Sequence, residues 1–356
     1  MQNRLNKLRD ALANIGADAL ITERDVNRRY LSGFTGSTGW VIVTEKDAFL
    51  VTDFRYIDQA QEQCPDFTVV NNQRKAVEAI AQVLKQAGVK RLAFESSLSY
   101  GSYAEWSQAF DGVELVPTSG VLEKLRMYKE ASEVEIVRKA VKIADDAFQH
   151  ILGYIKPGVS ESDIALELEF FMRRQGASGI GFDIIVASGP RGALPHGRAS
   201  EKLIQAGELV TLDFGAQFQG YNSDITRTVA VGEPSAKMKE IYDIVLKAQI
   251  AGVNALRPGI TGKEADAVTR DIITAAGYGD AYGHSAGHGL GMDVHELPNL
   301  STVSPFVLEP GMLVTMEPGI YVSGLGGVRI EDDVLITEEG HEVLTQSTKE
   351  LLILPV

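Results

Sequence analysis

The segment Leu209-Val-Thr-Leu-Asp213-Phe-Gly215 is followed, after a short connection, by Tyr221-Asn-Ser-Asp224-Ile-Thr-Arg-Thr-Val-Ala-Val231. Both segments have the apolar, β-branched composition of strands, and Gln219-Gly220 is typical of the turn between them. If the turn is centred on Phe218-Gln219, Asp213 and Asp224 are direct cross-strand partners with Cβ atoms ~5 Å apart. Two buried carboxylates at that distance need a cation, or one of them must hold a proton. The stretch therefore predicts a buried hairpin with a facing pair of acids.

A second hairpin with the same arrangement is predicted near the end of the chain. Its strands are Gly311-Met-Leu-Val-Thr-Met-Glu317 and Gly327-Val-Arg-Ile-Glu331-Asp-Asp-Val-Leu-Ile336. Glu317 and Glu331 are symmetric about Gly324 in the connecting loop, so this register also places two acids opposite each other. One such acid alone would be most simply explained as a solvated edge residue. Two hairpins that each carry a facing pair favour a shared site.

Four of the six histidines lie in two short motifs. His196 lies in Ala193-Leu-Pro-His-Gly197, and the second motif contains His284, His288 and His295. Glycines on both sides of His288 allow the backbone to approach another group closely, as a crowded ligand site requires. Three histidines within one short glycine-rich segment are hard to explain by packing alone, so we interpret them as site residues. The remaining two, His150 and His341, are interpreted as ordinary packing or surface residues.

Four carboxylates and one central histidine, with no thiolate, form an oxygen-rich ligand set. This set suits two divalent ions that share bridging carboxylates. Mn²⁺ or Co²⁺ fits it better than a structural Zn²⁺ does, and a Zn²⁺ pair is a further possibility. Two metal ions ~3.5–4 Å apart activate water and stabilise a tetrahedral oxyanion, which is the chemistry of hydrolysis. Histidines outside the metal shell would then handle protons and charge.

These motifs, in this order, resemble metallopeptidase family M24, which includes methionine aminopeptidase, aminopeptidase P and prolidase and has the so-called pita-bread fold. The matching stretches are Leu212-Asp-Phe-Gly215, Asn222-Ser-Asp-Ile-Thr-Arg227, Gly287-His-Gly-Leu-Gly291, Val294-His-Glu296, Met316-Glu-Pro-Gly-Ile-Tyr321 and Gly327-Val-Arg-Ile-Glu-Asp332. Phe34-Thr-Gly-Ser37 and Thr52-Asp-Phe-Arg-Tyr56 resemble the N-terminal domain of aminopeptidase P and bacterial prolidases, which methionine aminopeptidases lack. The resemblance covers nearly the whole chain.

The resemblance implies a role for each candidate site residue. The metal ligands would be Asp213, Asp224, His288, Glu317 and Glu331, with Asp224 and Glu331 bridging both ions. Glu317 would also take the proton of the attacking water, and His295 would stabilise the tetrahedral intermediate. His196 and His284 would line the substrate site and assist proton transfer. Arg329, two residues before Glu331 and therefore on the same strand face, would orient that carboxylate.

The resemblance also implies a substrate: a peptide with proline at the second position, cut at the bond before that proline. Prolidases of similar length carry an arginine four residues after the second histidine of this motif, where this chain has Asn299. Such an arginine would bind the free carboxylate of a dipeptide. We therefore expect an Xaa-Pro aminopeptidase, with an Xaa-Pro dipeptidase (prolidase) as the alternative. A creatinase-like amidinohydrolase and a non-catalytic binding protein of the same fold are more distant alternatives, because all five ligand positions are intact.

The predicted elements indicate two domains. Residues 1–124 alternate helical and strand patterns and predict an α/β creatinase/prolidase-type N-terminal domain, and residues 125–356 predict an α+β catalytic domain of pita-bread type. In the second domain Lys156-Pro-Gly158 and Arg257-Pro-Gly259 each close a helix and precede another helical stretch of matching length. This repeat of motif and helix length predicts a duplicated helix–helix–hairpin unit with internal pseudo-twofold symmetry. Ser132 and Glu135 predict a capping box at the first helix of this domain.

The composition excludes several classes of partner. With 34 Lys and Arg against 48 Asp and Glu, the formal net charge is −14, which argues against nucleic acid and anionic membrane surfaces. The single cysteine, Cys64, excludes an internal disulfide and a cysteine-based zinc site. The segment Met1–Gly16 has the pattern of an amphipathic helix rather than a signal peptide, and no apolar run approaches the ~18 residues needed to span a bilayer. We therefore expect a cytoplasmic protein, and the resemblance implies a homodimer.

Overall fold

A computed structural model describes residues 2–356, and it divides into one unit that ends at Arg126 and one that begins at Met127. The sequence places this boundary at residue 124. The helices of the first unit are α1 Gln2–Ile15, α2 Asp25–Ser32, α3 Ile57–Gln63, α4 Ala76–Gln86, α5 Tyr100–Ala109 and α6 Val121–Arg126. Its strands are β1 Ala19–Thr22, β2 Trp40–Thr44, β3 Ala48–Thr52, β4 Thr68–Asn71, β5 Arg91–Glu95 and β6 Glu114–Thr118.

The strands of the first unit form one mixed sheet in the order β4-β3-β2-β1-β5-β6. The hairpin of β2 and β3 is antiparallel, whereas β1, β5 and β6 run parallel and β3 runs parallel to β4. Helix α1 buries Leu5, Leu8 and Leu12, the apolar stripe expected from their spacing. This unit is therefore the α/β layer structure that the sequence predicts.

The second unit contains four α-helices: α7 Ala131–Ile151, α8 Glu161–Arg174, α9 Ala236–Ala255 and α10 Gly262–Ala275. Two 3₁₀-helices span Gly189–Ala193 and Gly279–Ala281. The strands are β7 Gly179–Ile180, β8 Ile185–Ser188, β9 Leu209–Phe214, β10 Ala216–Phe218, β11 Tyr221–Asn222, β12 Ile225–Val231, β13 Gly287–Gly289, β14 Glu296–Leu300, β15 Leu313–Met316, β16 Gly319–Val322, β17 Gly326–Arg329, β18 Asp332–Thr337, β19 Gly340–Val343 and β20 Ile353–Leu354.

Each helix pair of this unit packs on its own strands. Apolar residues of α7 and α8 form one buried cluster with β8, β9 and β12, which are neighbours in the sheet β20-β12-β9-β8. Residues of α9 and α10 form another cluster with the sheet β14-β13-β15-β18-β19, and α9 also covers the hairpin β16–β17. Helices therefore cover antiparallel strands in both halves, which is the predicted α+β arrangement.

The internal repeat predicted from the Pro-Gly motifs is present. Helices α8 and α10 each contain 14 residues, and each is capped by a hydroxyl side chain, from Ser160 and Thr261 respectively. The glycine two residues before each cap has a positive φ and donates its N–H to a carbonyl in the following loop, from Gly158 to Ile204 and from Gly259 to Leu308, both at 2.9 Å. The same helix start is therefore built twice in one domain.

The predicted capping box of Ser132 and Glu135 is wrong. Helix α7 begins at Ala131, its N-cap is Glu130, and the box is closed by Glu133, whose carboxylate accepts from the Glu130 N–H at 2.8 Å. Glu130 has extended backbone angles, so Ser132 already lies inside the first turn, where it cannot act as a cap. None of the described helices is both long and apolar enough to cross a membrane.

Candidate metal centre and active site

The first acid-bearing hairpin forms, but its register differs from the prediction. Thr226, not Asp224, lies opposite Asp213. The turn consists of Gln219 and Gly220, whose φ angles are 46° and 80°, so its centre lies one residue later than expected. A turn centre that moves by one residue moves each cross-strand partner by two, which keeps every side chain on its predicted face. Asp213 and Asp224 are therefore neighbours rather than direct partners.

The second hairpin has the predicted register. Gly319 lies opposite Arg329 in the β16–β17 ladder, and Met316 lies opposite Asp332 in the β15–β18 ladder. Continued between these two ladders, the register places Glu317 opposite Glu331. The ladders on both sides of these glutamates therefore keep the register that a facing pair requires.

Thr226 joins the two hairpins. It pairs with Asp213 in the first hairpin and forms an isolated bridge with Glu331 of the second. The Glu331 N–H donates to the Thr226 carbonyl at 3.1 Å, and the Thr226 hydroxyl donates to Glu331 Oε2 at 2.7 Å. This junction brings four carboxylates into one site. Thr226 is absent from the predicted set, and its place across from Asp213 becomes visible only in the correct register.

His288 is presented to these acids by β13. Its Nε2 lies 3.4 Å from Glu317 Oε1 and 3.7 Å from Asp224 Oδ2. Its Nδ1 lies 3.1 Å from the Gly289 carbonyl, which can only accept, so Nδ1 carries the proton and Nε2 has a free lone pair. Burial, together with the neighbouring His295, lowers the pKa of His288 to about 4. The ring is therefore neutral at pH 7, as metal ligation requires.

The glycines beside His288 permit this close approach. A Cβ atom on Gly287 would overlap the Thr315 carbonyl, and one on Gly289 would overlap the Leu297 carbonyl. The neighbouring strands therefore press directly on the backbone of β13 at both positions. This is the role that the sequence predicts for them.

The acids of the site are crowded and buried. Burial, together with the charges of neighbouring carboxylates, raises the pKa of Asp224 and of Glu331, and burial raises the pKa of Glu317 to about 8. Oδ1 of Asp213 and Oδ1 of Asp224 are buried with no hydrogen-bond partner within residues 2–356. One ligand atom each from Asp224, His288 and Glu331 lies within 4.8 Å of the other two. Unpartnered carboxylate oxygens around a neutral imidazole fit divalent metal ions.

Arg329 is buried in the site. The sequence predicts that it orients Glu331, but its direct hydrogen-bond partners are other residues. Its Nη2 donates to Asp213 Oδ2 at 2.6 Å, and its Nε donates to the Thr226 hydroxyl at 3.1 Å. Glu331 is reached only through that hydroxyl. The difference follows from the register, because Thr226 occupies the place across from Asp213 and stands between Arg329 and Glu331. Arg329 therefore orients Asp213 first and Glu331 indirectly.

Tyr321 connects Arg329 to His284. Arg329 Nη1 donates to the Tyr321 hydroxyl at 2.7 Å, and His284 Nε2 lies 2.8 Å from the same hydroxyl. Burial and the charge of Arg329 lower the pKa of His284 to about 4, and burial raises the pKa of Tyr321 to about 12. Tyr321 is also absent from the predicted set. Its place on the same face of the hairpin as Arg329, opposite Gly327, is the signal that identifies it.

The two remaining candidate histidines are exposed to solvent at this site. The ring of His295 meets the ring of His288 edge-on, with centroids 4.3 Å apart. His196 is close enough to His284 to contribute to the lowered pKa of that residue. His150 and His341 lie elsewhere: His150 bonds to Glu167 at 2.6 Å, and His341 bonds to the Leu256 carbonyl at 2.8 Å. The structure thus separates site histidines from packing histidines as the sequence does.

Known proteins match both units. The profile of metallopeptidase family M24 matches residues 135–338, and that of the creatinase/prolidase N-terminal domain matches residues 4–128. The solved structure of an Xaa-Pro dipeptidase from Bacillus anthracis superposes with a TM-score of 0.98 at 53% identity, covering 99% of each chain. The Xaa-Pro dipeptidase of Pyrococcus horikoshii is 40% identical over 99% of each chain. The structure of an X-Pro aminopeptidase from Thermotoga maritima has a TM-score of 0.91 at 37% identity, covering 95% of this chain and 98% of that one.

These similarities extend over both units at high identity, so they apply to the whole architecture rather than to single motifs. The family and the fold class expected from the hairpin and histidine motifs are confirmed. The chain belongs to metallopeptidase family M24 and combines a creatinase/prolidase-type N-terminal domain with a pita-bread metallopeptidase domain.

Proposed function

We propose that this protein is an Xaa-Pro dipeptidase, an exopeptidase that hydrolyses the bond between the first residue and proline. The observation that carries the proposal is the convergence of the acids of both hairpins on His288. Among the relatives described above, those named dipeptidases are more similar to this chain than the one named aminopeptidase. The dipeptidase alternative therefore replaces the aminopeptidase as the preferred function.

The site residues fit two divalent metal ions, of which we propose Mn²⁺ first and Co²⁺ or Zn²⁺ next. Oxygen-rich ligands with one imidazole favour this group of metals. Asp213, Asp224, His288, Glu317 and Glu331 would hold these ions. When bound, such ions acidify water and polarise a carbonyl oxygen.

The other groups bind the peptide or move protons. Glu317 accepts the proton of the attacking water, because its carboxylate lies beside His288 and, among residues 2–356, is held by one long hydrogen bond, 3.5 Å from the Thr315 hydroxyl. His295 stands at the exposed side of His288 and stabilises the charge that develops on the substrate oxygen. His284, fixed by Tyr321, and His196 line the substrate side and assist proton transfer.

One observation favours the aminopeptidase as a second candidate. Asn299 lies opposite His288 in the β13–β14 ladder, and its Oδ1 is buried without a hydrogen-bond partner within residues 2–356. An amide at this position cannot pair with a free carboxylate as a guanidinium does. A dipeptidase must therefore bind that carboxylate with another cation, whereas an aminopeptidase has no such requirement.

The experiment compares Ala-Pro, Ala-Pro amide and Ala-Pro-Ala as substrates of metal-stripped protein reloaded with Mn²⁺, Co²⁺ or Zn²⁺. We expect the highest kcat/KM for Ala-Pro and a marked loss on amidation. The control variant Asp224→Ala removes one of the proposed ligands, so both turnover and bound metal should disappear. A preference for Ala-Pro-Ala would establish the aminopeptidase instead, and metal-independent or absent hydrolysis of all three would contradict the peptidase proposal.

We further propose that the protein is a homodimer, as the family resemblance implies, and that it is cytoplasmic. Light scattering of the purified protein measures the molar mass directly. A mass near twice 38.6 kDa is expected, and a monomer at micromolar concentration would contradict the dimer.

A further inference from the structure

The first residue of α8, Glu161, has a fully buried carboxylate that no step of the proposed reaction uses. Its Oε1 accepts from the Ser188 N–H at 2.7 Å and from the Ser188 hydroxyl at 2.8 Å. Its Oε2 accepts from the Ser200 hydroxyl at 2.6 Å, from the Ser200 N–H at 3.2 Å and from Arg191 Nε at 3.2 Å. One carboxylate thus receives five donors, which fills its accepting capacity of about four lone pairs.

These donors belong to the two ends of one segment. Ser188 ends β8, Ser200 lies twelve residues later, and between them runs the segment that carries His196, here called the His196 loop (residues 189–199). Arg191 fastens the loop a second time, because its Nη2 donates to the Arg198 carbonyl at 2.6 Å. Glu161 therefore joins the two ends of the loop and, through Arg191, is also linked to the Arg198 carbonyl near the C-terminal end of the loop.

The contacts around His196 transmit this restraint to the histidine. Gly197 is buried, and a Cβ atom there would come within 3.1 Å of both Ala187 Cβ and the Leu194 carbonyl. The Arg198 N–H donates to the His196 carbonyl at 2.9 Å. The backbone on the C-terminal side of His196 is thus fixed to β8 and to the loop itself, while the imidazole stays exposed.

The internal repeat shows that the helix start does not need this carboxylate. The corresponding first residue of α10 is Gly262, where a Cβ atom would overlap the Asn299 carbonyl and the Ser304 hydroxyl. Both helices nevertheless begin after a hydroxyl cap and contain 14 residues. The carboxylate of Glu161 is therefore a feature of the His196 loop, not of the repeated helix turn.

We infer that Glu161 is a positioning residue that holds the His196 loop so that His196 faces the substrate site. The inference rests on the proposed function, in which His196 assists at the peptide. Misplacement of such a group by about 1 Å costs on the order of 10²-fold in rate. Glu161 affects the reaction only through His196, so its effect must vanish when His196 is absent.

A double-mutant cycle in the Mn²⁺-loaded protein tests this dependence. Glu161→Gln keeps the size of the side chain but replaces an acceptor oxygen by a donor. We expect it to lower kcat/KM for the Xaa-Pro substrate by about 10- to 100-fold, with unchanged metal content. In the His196→Ala background the same change should cost less than about twofold, because the two residues act as one unit.

Asp163→Asn is the matched control, because Asp163 lies in the same first turn of α8 and bonds to the Ser160 cap at 2.7 Å but not to the loop. It should leave kcat/KM and the hydrogen exchange of amides 189–199 unchanged, whereas Glu161→Gln should speed that exchange. If Glu161→Gln does not fold, Ser200→Ala removes a single donor and should show a smaller loss with the same dependence on His196. An equal loss in the presence and absence of His196 would overturn the inference while the peptidase function stands. Absence of turnover in the wild type would overturn both.

Discussion

At the scale of single residues, two site histidines are distinguished by the carbonyl groups beside them. His288 Nδ1 faces the Gly289 carbonyl at 3.1 Å, and His284 Nδ1 faces the Ser285 carbonyl at 2.8 Å. Both rings are thus held with the proton on Nδ1. The free Nε2 of His288 points at carboxylates, whereas that of His284 accepts from the Tyr321 hydroxyl. Two rings in the same tautomer can therefore take different roles, metal ligand and proton-handling group.

The sequence predicts the acids and histidines of the site by type and spacing, but it does not predict Thr226, Tyr321 or the partner of Arg329. Thr226 and Arg329 act through contacts between segments far apart in the chain, such as the bond from Thr226 to Glu331, which spans 105 residues, and Tyr321 links Arg329 of its own hairpin to His284. Hydroxyl groups of this kind also occur throughout ordinary strands. Only the register of both hairpins identifies the ones that support the site.

His295 gives a prediction at this scale. Its ring lies at the exposed side of His288 and makes no ladder contact, so His295→Ala should fold normally and keep its metal. Loss of one group that stabilises an oxyanion lowers kcat by about 10²–10³-fold. The measurement is kcat, together with metal content by atomic absorption.

The control for this variant is His341→Ala, since the ring of His341 bonds to the Leu256 carbonyl and not to the acids within the described part of the chain. It should keep the kcat of the wild type. Loss of metal from His295→Ala in proportion to loss of activity would show that His295 belongs to the ligands.

At the scale of elements, the two hairpins show how far symmetry in the sequence determines register. The rule of equal distance from a turn centre gives the right partners for Glu317 and Glu331, because the loop around Gly324 is centred where the glycines predict. The same rule fails for Asp213, because Gln219 adopts a positive φ and moves the turn centre onto Gln219-Gly220. A non-glycine residue in that conformation is uncommon, so the expected turn centre lay one residue too early although the sequence marks Gln219-Gly220 as turn residues. The acids converge nonetheless, because a shift of the cross-strand partners by two residues keeps every side chain on the same face of the hairpin.

The β16–β17 hairpin gives the prediction that belongs to this scale. It carries Tyr321 and Arg329 on one face, and Arg329 in turn holds Asp213. Tyr321→Phe removes the hydroxyl that fixes both Arg329 and His284. Loss of such a supporting hydrogen bond lowers metal affinity or activity by about 10- to 100-fold. Titration of the metal-free variant with Mn²⁺, followed by kcat at saturation, measures both effects.

Tyr242→Phe is the comparison for Tyr321→Phe. Tyr242 is a buried tyrosine whose hydroxyl donates to the Lys349 carbonyl at 2.8 Å, outside the acid cluster. Its loss should change stability but neither metal affinity nor kcat. Mn²⁺ affinity and kcat in Tyr321→Phe equal to those of the wild type would contradict a supporting role for the hydroxyl.

At the scale of the whole catalytic unit, four acids lie close together, and the pairing of Arg329 with Asp213 offsets only part of their charge. The Thr226–Glu331 bridge joins strands from the two halves of the repeat, and this arrangement forces Asp213, Asp224, Glu317 and Glu331 together. Four acids in a buried site oppose folding unless cations bind among them. The formal charge of −14, which at first indicates only an acidic surface, thus includes four charges with a separate role.

Removal of metal should therefore destabilise the protein, and more so at higher pH. Binding at 100 times Kd contributes about 2.7 kcal/mol, which corresponds to a fall in Tm of roughly 5–10 °C on chelation. In the metal-free protein, burial raises the pKa of Glu317 from 4.5 to about 8, so the folded state binds more protons than the unfolded state between these values. Stability then falls as pH rises through this window. Calorimetry from pH 5 to 8 should show that the difference in Tm between the Mn²⁺-loaded and the chelated protein increases with pH. Asp224→Ala should show no such difference. A gap that is constant or absent would mean that these carboxylates are not the metal site.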